Sequence, residues 1–282
     1  MSSPDLSGTT ALVTGASSGI GAAMARLLAS WQCDLILTAR RVDRLAALAG
    51  ELGAAHRISC ACLPEDLSDR DGPARLHQRV RDSGLPIDIL INNAGFAAYQ
   101  PFAETGWQRH RDLLQLNVTS LIELTYRFLP DLRARPGRTH ILNVSSIGAW
   151  IAVPYLAAYG ASKACVLSFS ESLAAELQGT RVSVTCLCPG GTTTEFPEVA
   201  GQTLGAAARA GMMSAERCAA IGLRGMLRGR RVVVPGGSNK LIRAASRLLP
   251  RRFMGATAQW VLGRPAGAVV VAGSLPPGAE GP

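Results

Sequence analysis

Residues Thr9–Thr14 are an apolar, β-leaning run that passes without a linker into Thr14-Gly15-Ala16-Ser17-Ser18-Gly19-Ile20-Gly21, and from about Gly19 to Trp31 the periodicity is helical. This strand, glycine turn and helix constrain the fold more than any other stretch. Glycines at a turn let one backbone approach another, or a phosphate, without a side chain between them. The helix that follows offers unpaired N–H groups and the positive end of its dipole to an anion lying there.

The same alternation continues along the chain. Strands are expected at Leu35–Ala39, Ile58–Cys62, Ile87–Asn92, His140–Ser145 and Val182–Leu187, with a last short one at Val232–Val234. Helical periodicity lies between them, through Leu45 and Leu48, at Arg70–Asp82, across Trp107–Leu132 in more than one segment, and at Leu156–Leu177. Strand and helix in strict alternation imply parallel strands with crossover helices on both faces, a doubly wound α/β sheet. Residues 197–230 are rich in Gly, Ala and Met, helical in tendency and without a clear strand. We expect one domain over 1–262, its cofactor half about 7–145 and its catalytic half about 146–262, and a Pro/Gly/Ala tail at 263–282 without fixed structure.

With 282 residues, 48% of them hydrophobic, the chain can bury a large core. No apolar run reaches the roughly 18–20 residues of a membrane span, and the first residues lack the pattern of a signal peptide. Seven cysteines stand mostly in apolar segments with no metal-ligand spacing, which points to reduced, buried thiols in a cytoplasmic protein. No metal is expected.

Two motifs carry chemistry beyond the glycine turn. The chain has 27 arginines but only two lysines, Lys163 and Lys240, so a lysine stands out. Lys163 follows Tyr159 by four residues in a helical stretch, which puts both on one face. A cation beside a phenol, whose ordinary pKa is about 10, favours the phenolate and makes an acid/base pair.

Thr14-Gly-x-x-x-Gly-x-Gly21, Asn92-Asn93-Ala94-Gly95, Asn117, Ser146, Tyr159-x-x-x-Lys163 and Pro189-Gly190 stand in an order and spacing that resembles the short-chain dehydrogenases/reductases over residues 7–235. The resemblance implies a Rossmann-like parallel sheet of about seven strands and a nicotinamide cofactor. It makes Tyr159 the general acid in carbonyl reduction and the base in alcohol oxidation. Lys163 would lower the Tyr159 pKa and hold the nicotinamide ribose. Ser146, chosen over Ser145 by family spacing, would bond the substrate oxygen, and Asn117 would keep a relay water. Around the cofactor it places Gly15, Ser17, Ser18, Gly19, Ile20 and Gly21 at the pyrophosphate, and Asp66 and Leu67 at the adenine. Asn92, Ala94 and Gly95 would form the cleft floor. Pro189, Gly190, Thr192 and Thr194 would meet the nicotinamide amide and the pyrophosphate.

The second strand ends Thr38-Ala39-Arg40-Arg41, where an NAD-binding protein usually offers an acid to the ribose 2′-hydroxyl. Arginine attracts a 2′-phosphate instead. Arg40, with Thr38, Arg41 or Ser17 nearby, therefore points to NADP(H). Phe96, Trp150, Ile151, Val153, Pro154 and Tyr155 flank the inferred site, with 197–230 as its lid, so a hydrophobic carbonyl or alcohol substrate is expected. The rival reading is a catalytically silent NADP(H)-binding sensor or scaffold on the same fold. Family members are often homodimers or homotetramers through the two long central helices.

The net charge of +9 is uneven: residues 199–282 hold twelve basic and two acidic groups. Within them, 236–252 is basic and can place Leu241, Ile242, Ala245, Leu248 and Leu249 on one helical face. A helix covering the domain, or a subunit contact, is preferred here over an anionic membrane surface. With few aromatics and no recognised module, nucleic-acid binding is not expected.

Overall fold

Strand β1 (Thr10–Thr14) is buried along its whole length, and its side chains alternate between two cores. Ala11 and Val13 join one apolar cluster and Leu12 joins the other. A strand covered on both faces must lie inside a sheet with helices above and below. In the computed structural model, which describes residues 4–202 and 211–248, that sheet has seven strands. They are β1, β2 (Asp34–Thr38), β3 (Cys60–Cys62), β4 (Ile89–Asn92), β5 (Thr139–Val144), β6 (Val182–Leu187) and β9 (Val232–Val233). Their order is β3-β2-β1-β4-β5-β6-β9, and every pairing is parallel.

One face is covered by α1 (Gly19–Ser30), α2 (Val42–His56) and α8 (Ala215–Leu227), through residues such as Leu28, Leu45 and Leu223. The other is covered by α3 (Gly72–Asp82), α5 (Ser120–Ala134) and α6 (Ala157–Glu176), through Leu76, Phe128 and Leu173. The strand order reverses between β1 and β4, so the crevice of this doubly wound sheet opens at the carboxyl ends of those two strands. The glycine turn leaves β1 there, and the Asn-Asn-Ala-Gly run begins at the end of β4.

The expected elements appear with shifted ends. The strand expected from Ile58 begins at Cys60, that from Ile87 begins at Ile89, and His140–Ser145 becomes Thr139–Val144. The Trp107–Leu132 stretch resolves into α4 (Trp107–Leu114), a π turn at Gln115–Thr119 and α5. The expectation that 197–230 holds no strand is corrected. Met213–Ser214 (β8) pairs in parallel with Thr192–Thr193 (β7), a two-residue contact too short to leave an alternating pattern. Two further helices are α7 (Phe196–Val199) and α9 (Gly237–Leu248). The boundary at 262, the 263–282 tail and positions 203–210 of the inferred lid lie outside the described residues.

All seven cysteines are free, and Cys33, Cys186, Cys188 and Cys218 are buried. Cys165 departs from the expectation of burial and is exposed. The Cys186 and Cys188 sulfurs lie 3.7 Å apart, sharing a thiol hydrogen bond and no disulfide.

Candidate active site

The glycine turn is built by close backbone approach. Gly15 and Gly19 have φ of +65° and +55°, in the left-handed region that favours glycine. A Cβ on Gly15 would stand 2.8 Å from Asn93 Nδ2, and one on Gly21 would run into the Gly15 carbonyl oxygen. Ser18 caps α1 in extended conformation without a side-chain capping bond, and the first turn of α1 has no acid. This end of α1 therefore keeps the positive potential that a pyrophosphate requires.

Thr14 and Asn93 clasp the turn to the loop after β4. Asn93 Nδ2 donates to the carbonyls of Thr14 (2.9 Å) and Gly15 (3.2 Å). Thr14 Oγ1 accepts from the amides of Asn93 (2.9 Å) and Ala94 (3.0 Å). Asn92, expected in the cleft floor, is turned into the protein, where its Nδ2 donates to Thr125 Oγ1 and Asn143 Oδ1. Asn93 is the residue that sequence reading passed over. Its place inside Asn92-Asn93-Ala94-Gly95 was the available signal, but that run does not say which amide faces the turn.

The arginines divide similarly. Arg40 is exposed, and Arg41 is the one that reaches the turn. Arg41 Nε donates to Ser17 Oγ (3.2 Å) and Nη2 to Ser18 Oγ (2.6 Å). Its Nη1 pairs with Glu195 at 2.8 Å, and Arg44 pairs with the other oxygen of Glu195 at 2.6 Å. Hydrogen bonds from Arg41 and then Arg44 hold the Glu195 carboxyl below the usual carboxylate range. Thr38 is buried, and its hydroxyl has no partner among the described residues. Asp66 Oδ1 accepts from the amide and hydroxyl of Ser68, and the Leu67 carbonyl accepts from Ser120 Oγ at 2.5 Å.

Across the crevice, β5 ends at Val144 and delivers two serines to different places. Ser145 is buried and its Oγ donates to the Lys163 backbone carbonyl at 2.7 Å. Ser146 caps a short 3₁₀ turn (Ile147–Ala149), accepting from Gly148 N at 3.1 Å, and its side chain lies near the Tyr159 phenol. Lys163 is 4% exposed, and Nζ donates to the Val144 carbonyl at 2.9 Å. Nζ lies 5.8 Å from the Tyr159 ring centroid.

The expected depression of the Tyr159 pKa is absent from this arrangement. Burial pushes the phenol up to about 12, partly offset by the neighbouring Ser146 side chain. Burial also pulls Lys163 down to about 8. Dehydration disfavours both charged forms and outweighs a cation whose bond goes to a backbone carbonyl.

Asn117 sits fully buried in the π turn. Its Oδ1 accepts from Phe96 N (3.0 Å), and its Nδ2 donates to Phe96 O (3.0 Å) and Ser162 Oγ (3.1 Å). Ser162 Oγ in turn donates to the Tyr159 carbonyl at 2.7 Å. The Asn117 side chain is thus a brace for the Tyr159 helix. A Cβ on Gly95 would meet Asn117 Oδ1 at 2.9 Å and Lys163 Nζ at 3.4 Å, so only glycine fits between them.

The rim comes from three segments. The Pro189 carbonyl accepts from Ile147 N at 2.7 Å, and Thr192 Oγ1 donates to the Gly190 carbonyl at 3.1 Å. Thr194 Cγ2 would be 3.1 Å from a Cβ on Gly19, so this strand end lies against the glycine turn. Phe196 stacks at a tilt on Tyr159 with centroids 5.5 Å apart. Tyr155 has φ of +64°, a strained value for a bulky residue, and packs with Tyr99, Tyr159 and Phe196. Of the expected apolar lining, Val153 packs at Gly148 and Gly160, Trp150 lies under the Arg243 guanidinium, and Phe96 is buried beneath Arg109.

Seven parallel strands, a phosphate-type turn at the switch point and a Ser-Tyr-Lys cluster beside it define a nucleotide-binding α/β oxidoreductase. Residues 9–204 match the short chain dehydrogenase family, and the chain belongs to that family. It is 37% identical over 186 residues to sulfoacetaldehyde reductase 2 of Chromohalobacter salexigens, covering 66% of this chain and 73% of that one. A short-chain dehydrogenase from Sphingobium yanoikuyae, solved in complex with NADPH, superimposes with a TM-score of 0.75 at 32% identity, covering 85% of this chain and 94% of that one. A Burkholderia phymatum member solved with NAD has a TM-score of 0.76 at 24% identity, over 95% of this chain and 99% of that one, and supports the fold alone.

Proposed function

We propose that the chain is an NADP(H)-dependent oxidoreductase that interconverts a carbonyl and a secondary alcohol, with Tyr159 as general acid/base. The observation that carries this reading is the grouping of Ser146 and Tyr159 beside Lys163 at the carboxyl end of the sheet. A nucleotide binder has no use for two hydroxyl donors at one point. The glycine turn fits a dinucleotide: Gly15 and Gly21 let the turn close on Asn93 and on its own carbonyl, and the α1 N-terminus beside it carries no acid in its first turn.

When bound, the nicotinamide supplies or takes the hydride. In reduction, Tyr159 gives its proton to the substrate oxygen while Ser146 stabilises the charge growing there; such proton donation is worth roughly 10²–10⁴-fold. A phenol raised to about 12 stays protonated at neutral pH, which suits the acid role. Lys163, charged below about 8, would hold the ribose hydroxyls, and Asn117 keeps the helix that carries Tyr159 in register. The preference for NADP(H) rests on Arg41, already bonded to Ser17 and Ser18, with Arg40 beside it and no acid within Thr38-Ala39-Arg40-Arg41 at the end of β2. Asp66 and Leu67 belong to the adenine side, Ala94 and Gly95 to the cleft floor, and Gly190, Thr192 and Thr194 to the nicotinamide side.

Phe196, Tyr155 and Val153 beside Tyr159 favour a hydrophobic substrate. Trp107 and Tyr126, exposed on α4 and α5, suit a homodimer or homotetramer through the long helices. The test is a broad carbonyl and alcohol panel with NADPH consumption or formation as readout. Turnover of bulky apolar carbonyls is expected. Nucleotide binding without turnover across the panel would contradict the reading and favour a sensor.

A further inference from the structure

Helix α9 was expected to cover the domain or form a subunit contact; it lies against the domain with Leu241 and Leu248 facing outward. Its inner side is held by polar and cationic groups. Asn239 packs against Gly190 and its Nδ2 donates to the Pro235 carbonyl at 2.7 Å. The Arg243 guanidinium covers Trp150 at 5.3 Å, and Ile242 is half-buried. The outer side carries Lys240, Leu241, Ala244, Arg247 and Leu248, all exposed. Leu241 is 71% and Leu248 85% exposed, among the most open large apolar side chains described. They are seven residues apart, two turns along one side, each next to a cation.

We propose that this outer face of α9 is a docking surface for an anionic lipid bilayer. Leucines dipping between cations whose stems run along apolar surface suit the headgroup boundary, where acyl chains and anionic phosphates meet. The charge of the segment agrees: no acid occurs between Glu216 and Glu280, and the sequence continues past α9 as Leu249-Pro250-Arg251-Arg252-Phe253. A second copy of the chain is a poorer occupant. A two-fold contact through this face would bring the cations Lys240 and Arg247 of the two copies into one interface. Among the described residues no helix is long and apolar enough to cross a membrane, so the attachment is peripheral. Because α9 packs on the 3₁₀ turn that follows Ser146, docking would bring the rim of the site near the bilayer. The inference does not rest on the hydride-transfer reading.

Full-length protein is sedimented with vesicles of phosphatidylcholine alone or mixed with phosphatidylglycerol, at low and high salt. Partition to the mixed vesicles is expected at low salt and its loss at high salt. Leu241→Ser/Leu248→Ser should lower that partition at least about tenfold, with circular dichroism and Tm unchanged. Lys240→Glu/Arg247→Glu should abolish it. Wild type that stays in the supernatant overturns the proposal, as does equal binding to neutral vesicles or a leucine variant that binds like wild type. A leucine variant that instead loses subunits in size-exclusion chromatography, with no vesicle binding in either form, assigns the face to a second copy and equally overturns it.

Discussion

At Tyr159 and Lys163 the helix spacing does what four residues should, but burial decides the chemistry. Dehydration raises the phenol to about 12 and lowers the ammonium to about 8. The sign for catalysis follows. Lys163 is charged below about 8 and loses its proton above it, so reductive kcat/KM should hold from pH 6 to 7.5 and fall above about 8. A pH–rate profile without an alkaline limb near there would remove Lys163 from the rate. Lys163→Arg keeps charge but puts a planar fork where a compact ammonium fits between Val144 and Gly95. We expect a loss of about 10²-fold or more in kcat; near-normal turnover would mean that charge alone is needed. Arg41→Ala removes the guanidinium on the turn and should weaken NADPH binding by about tenfold or more, with NADH little changed. The grouping of Ser146, Tyr159, Lys163 and Asn117 was legible because separated motifs share one spacing pattern. That Asn93 rather than Asn92, and Arg41 rather than Arg40, bonds the glycine turn was not. Adjacent residues in a turn have directions set by tertiary contact, which spacing does not encode.

Among the elements, the 190–199 segment is what closes the crevice. Thr194 rests on the glycine turn, Phe196 on Tyr159, and Glu195 bridges Arg41 and Arg44 of the neighbouring β2–α2 connection. Both ion pairs are substantially exposed, so their contribution to global stability is small, but they tether a four-residue helix. Glu195→Gln should speed amide hydrogen exchange over Phe196–Val199 and raise substrate KM while leaving Tm nearly unchanged. Unaltered exchange there would show that packing of Phe196 alone holds the segment. At the opposite wall, β1, the turn and α1 leave no room at Gly21, and Gly21→Ala should abolish nucleotide binding measured by titration. This wall was readable from sequence, since two-faced burial of β1 and a glycine turn each leave a strong pattern. The 190–214 stretch was not, because two-residue strands and a one-turn helix carry no period.

Over the whole molecule, the parallel sheet separates two ends with different tasks. At the amino end of β5, His140 is buried with Nδ1 on Ser183 Oγ at 2.6 Å, and burial, with help from Arg138, lowers its pKa from 6.5 to about 4. Between those values the unfolded chain binds a proton that the folded chain refuses, so stability falls as pH drops from about 6.5 toward 4. The loss should approach about 3 kcal/mol, and His140→Gln should flatten that slope in denaturant titrations; an unchanged slope would shift the cause to the carboxylates. At the carboxyl end, the glycine turn and the Ser146–Tyr159 pair face each other across the switch point. The central claim, hydride transfer with Tyr159 as its acid, is tested most directly by comparing wild type and Tyr159→Phe for both NADPH affinity and turnover of one accepted carbonyl. Equal affinity within about twofold and a fall in kcat of about 10³-fold or more are expected. Tyr159→Phe that still turns over at a comparable rate would contradict it.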